Sequence, residues 1–429
     1  MKIINTQITR VKEKLKAPFG FKGGFLSELW QVVAKIETEN AYGVGVGVQS
    51  VLWCDANVFS LYSEEDGNAI MYKVSEKALE LLNGKEGENP IDIIDSVYDD
   101  LLAFSKTITI LKEDLRETFV KNALVCVDNA LWQAYAKERK ETDFLSLIPS
   151  KYLPALSEKH EKLSNIPLIS YGVSHEEIKR LLDSGTVLLK IKIGYDNGGK
   201  LSKEEMLNWD KNRFNEIHQI AKEYKTEYTY SNKILYYLDA NGRYDNLDRL
   251  QSFIDYAKEI GALEQIVLLE EPFEEFNKID VSSLPCRIAA DESIHSLKDV
   301  EERINLGYKA VTLKPIAKTL SETLKILKCA TEKGVVCFCA DLTVNPLLVE
   351  WNKNIASRIK TIPEMKIGIL ESNGEQNYVN WDLMCSYEPL FIESFAKCVN
   401  GIYTLNKKFF ETSGGIFLSS YYYDNLFKI

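Results

Sequence analysis

Between about Ile166 and Ser372 the chain repeats one pattern eight times: a short apolar run, a charged or amide residue near its end, then an amphipathic stretch. The runs are "IPLISYGV", "VLLKIKIG", "ILYYLDANG", "IVLLEEP", "CRIAADES", "AVTLKP", "VVCFCADL" and "MKIGILES". Between them lie helical patterns such as "SHEEIKRLLDSG", which opens on a capping serine and closes on glycine, and "LSETLKILKCATEKG". Near-continuous apolar runs suit parallel strands buried on both faces, and parallel strands need crossover helices. Eight such units within residues 165–385 favour a closed (β/α)8, TIM-like barrel over an open doubly wound sheet.

The flanks read differently. Residues 1–150 open with three strand-like runs, "TQITRVKEKL", "LWQVVAKIETEN" and "AYGVGVGVQ", then turn helical, with Phe119–Lys140 apolar at three-to-four spacing and basic at its end. Residues 386–429 return to mixed character and are expected to pack back on the first part. The fold class is therefore α/β: a barrel plus an α+β capping domain built from the N-terminal third and the C-terminal tail. A net charge of −11 without a basic cluster argues against nucleic acid as a partner. No run approaches the ~18 apolar residues of a membrane span, and the cytoplasm is the default location. The eight cysteines show no CxxC spacing and read as reduced core thiols.

Charge at the ends of the runs carries the functional signal. Lys190 and Lys192 close the second run, Asp239 and Asn241 the third, Glu270 and Glu271 the fourth, Asp291 and Glu292 the fifth, and Lys314 the sixth. Any one of these is ordinary as a cap or turn residue. Five in succession place the charges on one rim, where barrel active sites lie. Asp239, Glu270 and Asp291 would converge there and repel one another unless a cation sat between them. Oxygen ligands without His or Cys favour Mg²⁺ or Mn²⁺ over zinc.

Residues two apart on a strand face the same side, about 7 Å apart, so Lys190 and Lys192 both point inward. Their repulsion at an effective dielectric near 20 is roughly 2.4 kcal/mol, which would lower an ammonium pKa by about 1.7 if nothing opposed it. Neighbouring carboxylates act the other way. A lysine brought towards neutral pH is a competent general base.

The ordered set "KIK", "DAN", "EEP", "ADES", "LKP" resembles the enolase superfamily, in its muconate lactonizing enzyme and mandelate racemase branches. The resemblance spans nearly the whole chain. It implies that Asp239, Glu270 and Asp291 ligate Mg²⁺, that Glu271 points elsewhere, and that Lys192 is the acid/base. Lys190 would assist and help bind a substrate carboxylate, and Lys314 would serve from the opposite face. The implied chemistry is abstraction of a proton α to a carboxylate, followed by racemisation, epimerisation or cycloisomerisation of a small carboxylic acid. Such barrels often pair, so a homo-oligomer is expected.

This chain departs from the pattern in places. The mandelate racemase type carries a histidine at strand seven, but "VVCFCADLTVNP" has none, and His160, His175, His218 and His295 read as packing or solvated residues. Strand eight, "ILESNGEQNY", lacks the Asp-x-Asp of dipeptide epimerases. Asn241, Asp341, Asn345 and Glu371 stand at the rim and are candidates to touch substrate. The stretch "APFGFKGGF", with Phe19, Phe21 and Lys22, matches the loop that closes over the site in this superfamily. Two alternatives stay open: an acid-sugar dehydratase, hence a lyase, of the same superfamily, and a metal-binding barrel without catalysis.

Overall fold

Three antiparallel strands open the chain: β1 (Ile3–Phe21), β2 (Gly24–Thr38) and β3 (Tyr42–Gln49), in the order β1-β2-β3. The computed structural model describes residues 1–21 and 24–428, and leaves the side chains of residues 19, 21 and 113 outside that description. Four helices follow: α1 (Val51–Cys54), α2 (Ala56–Leu82), α3 (Pro90–Ile108) and α4 (Glu117–Arg139). The alternating glycines of "YGVGVGV" let α4 lie directly on β3. A Cβ on Gly45 would stand 2.1 Å from the Cys126 carbonyl oxygen and 2.2 Å from the Ala130 nitrogen, so only glycine fits. Every residue of α4 from Thr118 to Ala136 is consequently buried.

The barrel sheet runs β4 (Lys162–Ile166), β5 (Leu168–Ile169), β6 (Leu188–Lys192), β7 (Leu235–Asp239), β8 (Ile266–Glu270), β9 (Ile288–Ala290), β10 (Ala310–Leu313), β11 (Val336–Cys339) and β12 (Gly368–Glu371). Each strand from β5 to β12 pairs in parallel with the next, and amphipathic helices fill the crossovers. Closure happens within one segment. β4 pairs with β12 and β5 with β6, and only Pro167 separates them. Proline lacks an N–H, so the ladder breaks there, while its carbonyl accepts from the Lys190 N–H at 3.2 Å. The first barrel strand thus starts at Lys162 and is split, rather than running from Ile166 to Val173 as the sequence suggests.

Period-two alternation sorts the strand residues. Leu189, Ile191, Tyr236, Leu238, Leu269 and Cys339 belong to the cluster packed with the surrounding helices. Ile166, Leu188, Leu235, Tyr237, Leu268, Ala289, Ala310 and Phe338 form a separate interior cluster. Lys190, Asp239, Glu270 and Asp291 each stand two residues beyond a member of that inner set, so they continue the same face toward the carboxyl end.

The tail adds β13 (Cys398–Val399) and β14 (Ile402–Thr404), with β14 antiparallel to β4. Further on, the Gln133 side chain of α4 donates to the Leu418 carbonyl at 2.8 Å, and Tyr42 donates to Asp424 at 3.1 Å. Cap and barrel meet through polar contacts: Asp128 accepts from the Ser321 N–H at 3.1 Å, Lys121 pairs with Glu322 at 2.9 Å, and Thr118 bonds His295 at 2.6 Å. All eight cysteines are free. Among the described residues no helix is long and apolar enough to cross a membrane.

Candidate active site

A pocket of about 60 Å³ lies between the cap and the carboxyl ends of the barrel strands. Its lining includes Lys190, Lys192, Asp239, Asn241, Glu270, Asp291, Lys314, Asp341 and Glu371, so the rim residues read from the sequence converge on one cavity. The side chains of Phe19 and Phe21, and Lys22 altogether, on which the expected lid rests, lie outside the described residues. Asn345 is not part of the lining. It caps the helix Pro346–Ala356 and donates to Gln31 at 2.7 Å.

The lysines are paired, not solvated. Lys190 Nζ lies 3.1 Å from Asp239 Oδ2, 3.5 Å from Glu270 Oε1 and 3.1 Å from Glu371 Oε2, with the Tyr237 ring centroid 4.6 Å away. Lys192 Nζ lies 2.7 Å from the same Asp239 oxygen and donates to Asn241 Oδ1. Lys314 Nζ is 2.5 Å from Asp291 Oδ2. In strand order β6 and β10 stand four positions apart around eight, so Lys192 and Lys314 come from opposite staves.

Burial would lower the Lys190 pKa, yet Asp239, Glu270 and Glu371 hold it well above the ordinary lysine value. Of the two opposing influences read from the sequence, the carboxylates win at Lys190, because charges within 3.5 Å outweigh a like charge about 7 Å off. Asp239 responds in kind: burial opposes ionisation, but Lys190 and Lys192 hold its carboxyl below the usual range. Burial acts on Asp291 as well, and Lys314 and Lys318 more than offset it. Burial pushes Glu270 up to about 8, with Asp291 and Glu292 adding to the rise and Lys190 opposing it.

Glu270, Asp291 and Glu292 each offer a carboxylate oxygen within 4.8 Å of the others. Both Glu270 oxygens are buried without a hydrogen-bond donor. A buried acidic cluster with such oxygens fits a hard divalent cation. The cluster differs from the triad expected from sequence: Glu292 joins Glu270 and Asp291, while Asp239 is held by the two lysines. Glu271 points away from the pocket, as the resemblance implies. Its Oε2 accepts from the Asp291 N–H at 2.8 Å and from the Ser293 N–H and hydroxyl at 3.3 and 2.9 Å, which fixes the loop carrying Asp291.

Two candidate substrate contacts are otherwise engaged. Asp341 lines the cavity, but its oxygens accept from the Leu342, Val344 and Asn373 N–H groups, and burial raises its pKa to about 6. Glu371 bridges Lys190 and the Asp341 N–H. Sequence reasoning missed Lys318, which donates to the Asp291 carbonyl at 2.9 Å, and Trp53 of α1, whose ring centroid lies 4.0 Å from Lys314 Nζ. Lys318 is one helical turn beyond Lys314, a spacing visible in "LKPIAK". Trp53 carries no local signal, since only the docking of the cap brings it to the mouth.

No protein-family model matches the chain, and no curated protein is similar to it in sequence. Solved structures do match. A mandelate racemase/muconate lactonizing protein from Herpetosiphon aurantiacus superposes with a TM-score of 0.67 at 17% identity, over 96% of this chain and 97% of that one. The fold is that of the enolase superfamily. A dipeptide epimerase from Enterococcus faecalis V583, solved with Mg and the dipeptide L-Leu-L-Tyr, gives a TM-score of 0.65 at 17% identity over 97% and 99%. An N-succinyl Arg/Lys racemase from Bacillus cereus gives 0.62 at 16% over 88% and 89%. The superfamily's barrel and cap therefore account for nearly the whole chain.

Proposed function

We propose that this protein is an enzyme that abstracts a proton α to the carboxylate of a small acid, with Mg²⁺ as cofactor, and so racemises, epimerises or cycloisomerises it. The observation that carries the reading is the convergence of Lys192 and Lys314, from opposite staves, on a cavity whose floor holds Asp239, Glu270 and Asp291. The ordered motifs support it, as does the likeness to racemases and epimerases, two of them solved with Mg.

Glu270 and Asp291 would hold the cation, with Asp239 and Glu292 beside them. When bound, Mg²⁺ supplies Lewis acidity worth several kcal/mol against the negative charge that proton removal places on the substrate. The remaining work falls to the chain. Lys190, buried among carboxylates, stays protonated and offsets the charge of the substrate carboxylate. Lys192 removes the α-proton on one face; Lys314 returns one on the other, or removes it from the opposite enantiomer. The apolar residues of the cap exclude water, which strengthens each of these interactions. Where the acid carries a leaving group at the β carbon, the same charge distribution would expel it.

Incubating candidate acids with the protein in D₂O and following the α-proton by NMR tests the reading. Exchange should require Mg²⁺, stop on chelation and, in Lys192→Ala, be lost from one enantiomer. A Lys192→Ala variant that still exchanges at the wild-type rate would remove Lys192 from the role of base.

A further inference from the structure

The pocket has two unlike walls. The barrel side is charged, whereas the opposite side is built from Leu26 and Leu29 of β2 and Leu52 and Trp53 of α1, joined by Leu168 and Leu342 at the rim. Leu26, Leu29 and Leu52 are all but buried already. Two further observations bear on what fits between the walls. First, each lysine in the lining is matched to a carboxylate: Lys190 to Asp239 and Glu371, Lys192 to Asp239, and Lys314 to Asp291. Second, the lining sets three lysines against six carboxylates and, among the described residues, contains no arginine or histidine. A divalent cation plus one substrate carboxylate still leaves carboxylates in excess of cations. A second anionic group on the ligand would meet no unmatched cation and would be desolvated against like charge. Ser50, Asn241, Thr343 and Asn373 offer some hydroxyls a partner, but a polyhydroxylated ligand would set the rest against Leu26, Leu29, Leu52 and Trp53, where they would lose the hydrogen bonds water gives them.

From this geometry we infer that the substrate is a monocarboxylate whose α substituent is apolar, aromatic or branched aliphatic, lying against the Leu26–Leu29–Leu52–Trp53 wall. Dicarboxylates and sugar acids are excluded. The inference rests on the proposed function for the position of the carboxylate, and it adds what the rest of the molecule must be.

Titration calorimetry with Mg²⁺ present, using N-acetyl-L-phenylalanine, N-acetyl-L-aspartate and D-galactonate as probes, reads the selection without turnover. We expect the first to bind at least about tenfold tighter than either of the others. We also expect Leu52→Arg to cut its advantage over N-acetyl-L-aspartate by about fivefold or more, the new guanidinium matching the second carboxylate. Equal or inverted affinities in the wild type, or no binding of N-acetyl-L-phenylalanine, overturn the inference, and that measurement does not depend on the variant folding. Selective binding without α-proton exchange upholds the inference and defeats the proposed function instead. Preferred exchange of N-acetyl-L-aspartate, or preferred turnover of galactonate, defeats the inference and leaves proton abstraction standing.

Discussion

The lower and upper layers of the barrel are made by the same strands and could hardly be less alike. Below, Leu268, Tyr237 and Phe338 interdigitate, with the Tyr237 and Phe338 rings edge to face at 5.3 Å. Two residues further along each strand the same inward face carries Lys190, Asp239, Glu270 and Asp291, all buried. The lower layer is held by dispersion and water exclusion, which need no partner outside the chain. The upper layer is a lattice of opposite charges in which carboxylates outnumber lysines. The contrast teaches that a barrel tolerates a costly charged rim because the apolar layer beneath already holds the staves in register.

If so, defects in the two layers should respond differently to Mg²⁺. Lys190→Met strips three carboxylates of a shared ammonium and should destabilise the metal-free protein by ~3–5 kcal/mol. Urea denaturation should show a good part of that loss recovered on adding Mg²⁺, and a deficit indifferent to the cation would break the comparison. Leu268→Ala leaves a cavity in the lower layer and should cost ~2–5 kcal/mol. Here Mg²⁺ should restore none of the deficit beyond what it adds to the wild type.

The cap–barrel junction supplies a third, milder case. Burial raises Asp128 to about 6 although Ser321 donates to it twice. A carboxyl whose folded pKa exceeds its unfolded value carries no penalty at low pH and acquires one as pH rises from about 4 through 6. Asp128→Asn should therefore flatten that part of the stability–pH curve, by up to roughly 3 kcal/mol, in denaturation series between pH 4 and 7. An unchanged slope would assign the pH dependence elsewhere. The smallest effect on stability belongs to Glu270→Gln. Burial pushes Glu270 up and so disfavours its charged form, and exchanging it for a neutral isostere should shift stability by less than ~1 kcal/mol while abolishing Mg²⁺ binding by calorimetry. Wild-type Mg²⁺ affinity in that variant would move the cation away from the rim.

Much of this was legible in the sequence because buried parallel strands leave a continuous apolar record, and charges at their ends stand out against it. The order KIK, DAN, EEP, ADES, LKP located the rim, and Glu271 does turn from the pocket. The interruption at Pro167 was not anticipated, since the run reads through it as one strand while pairing splits there between two neighbours. Glu292 was noticed as a strand-end residue but not as a member of the acidic cluster. Periodicity turns successive strand residues to opposite faces, and β9 ends at Ala290, so the rule no longer governs that position. Trp53 and Lys318 escaped for a different reason. One reaches the site by tertiary docking and the other by a helical turn beginning right after a strand, and neither leaves a period-two mark. The sequence names both influences on Lys190 but not their balance, because the repulsion along one strand is local, whereas the carboxylates that overwhelm it arrive from β7, β8 and β12.

The central claim is that two lysines flank the α carbon, and enantiomer-resolved exchange reaches it most directly. Each enantiomer of a competent acid is incubated with Mg²⁺ in D₂O and wild type, Lys192→Ala or Lys314→Ala, and deuterium at the α carbon is followed by NMR. The account predicts that wild type exchanges both enantiomers and that each variant loses exchange from one enantiomer only, the two variants failing on opposite hands, by roughly 10²–10⁴-fold. Wild-type rates for both enantiomers in either variant would contradict it.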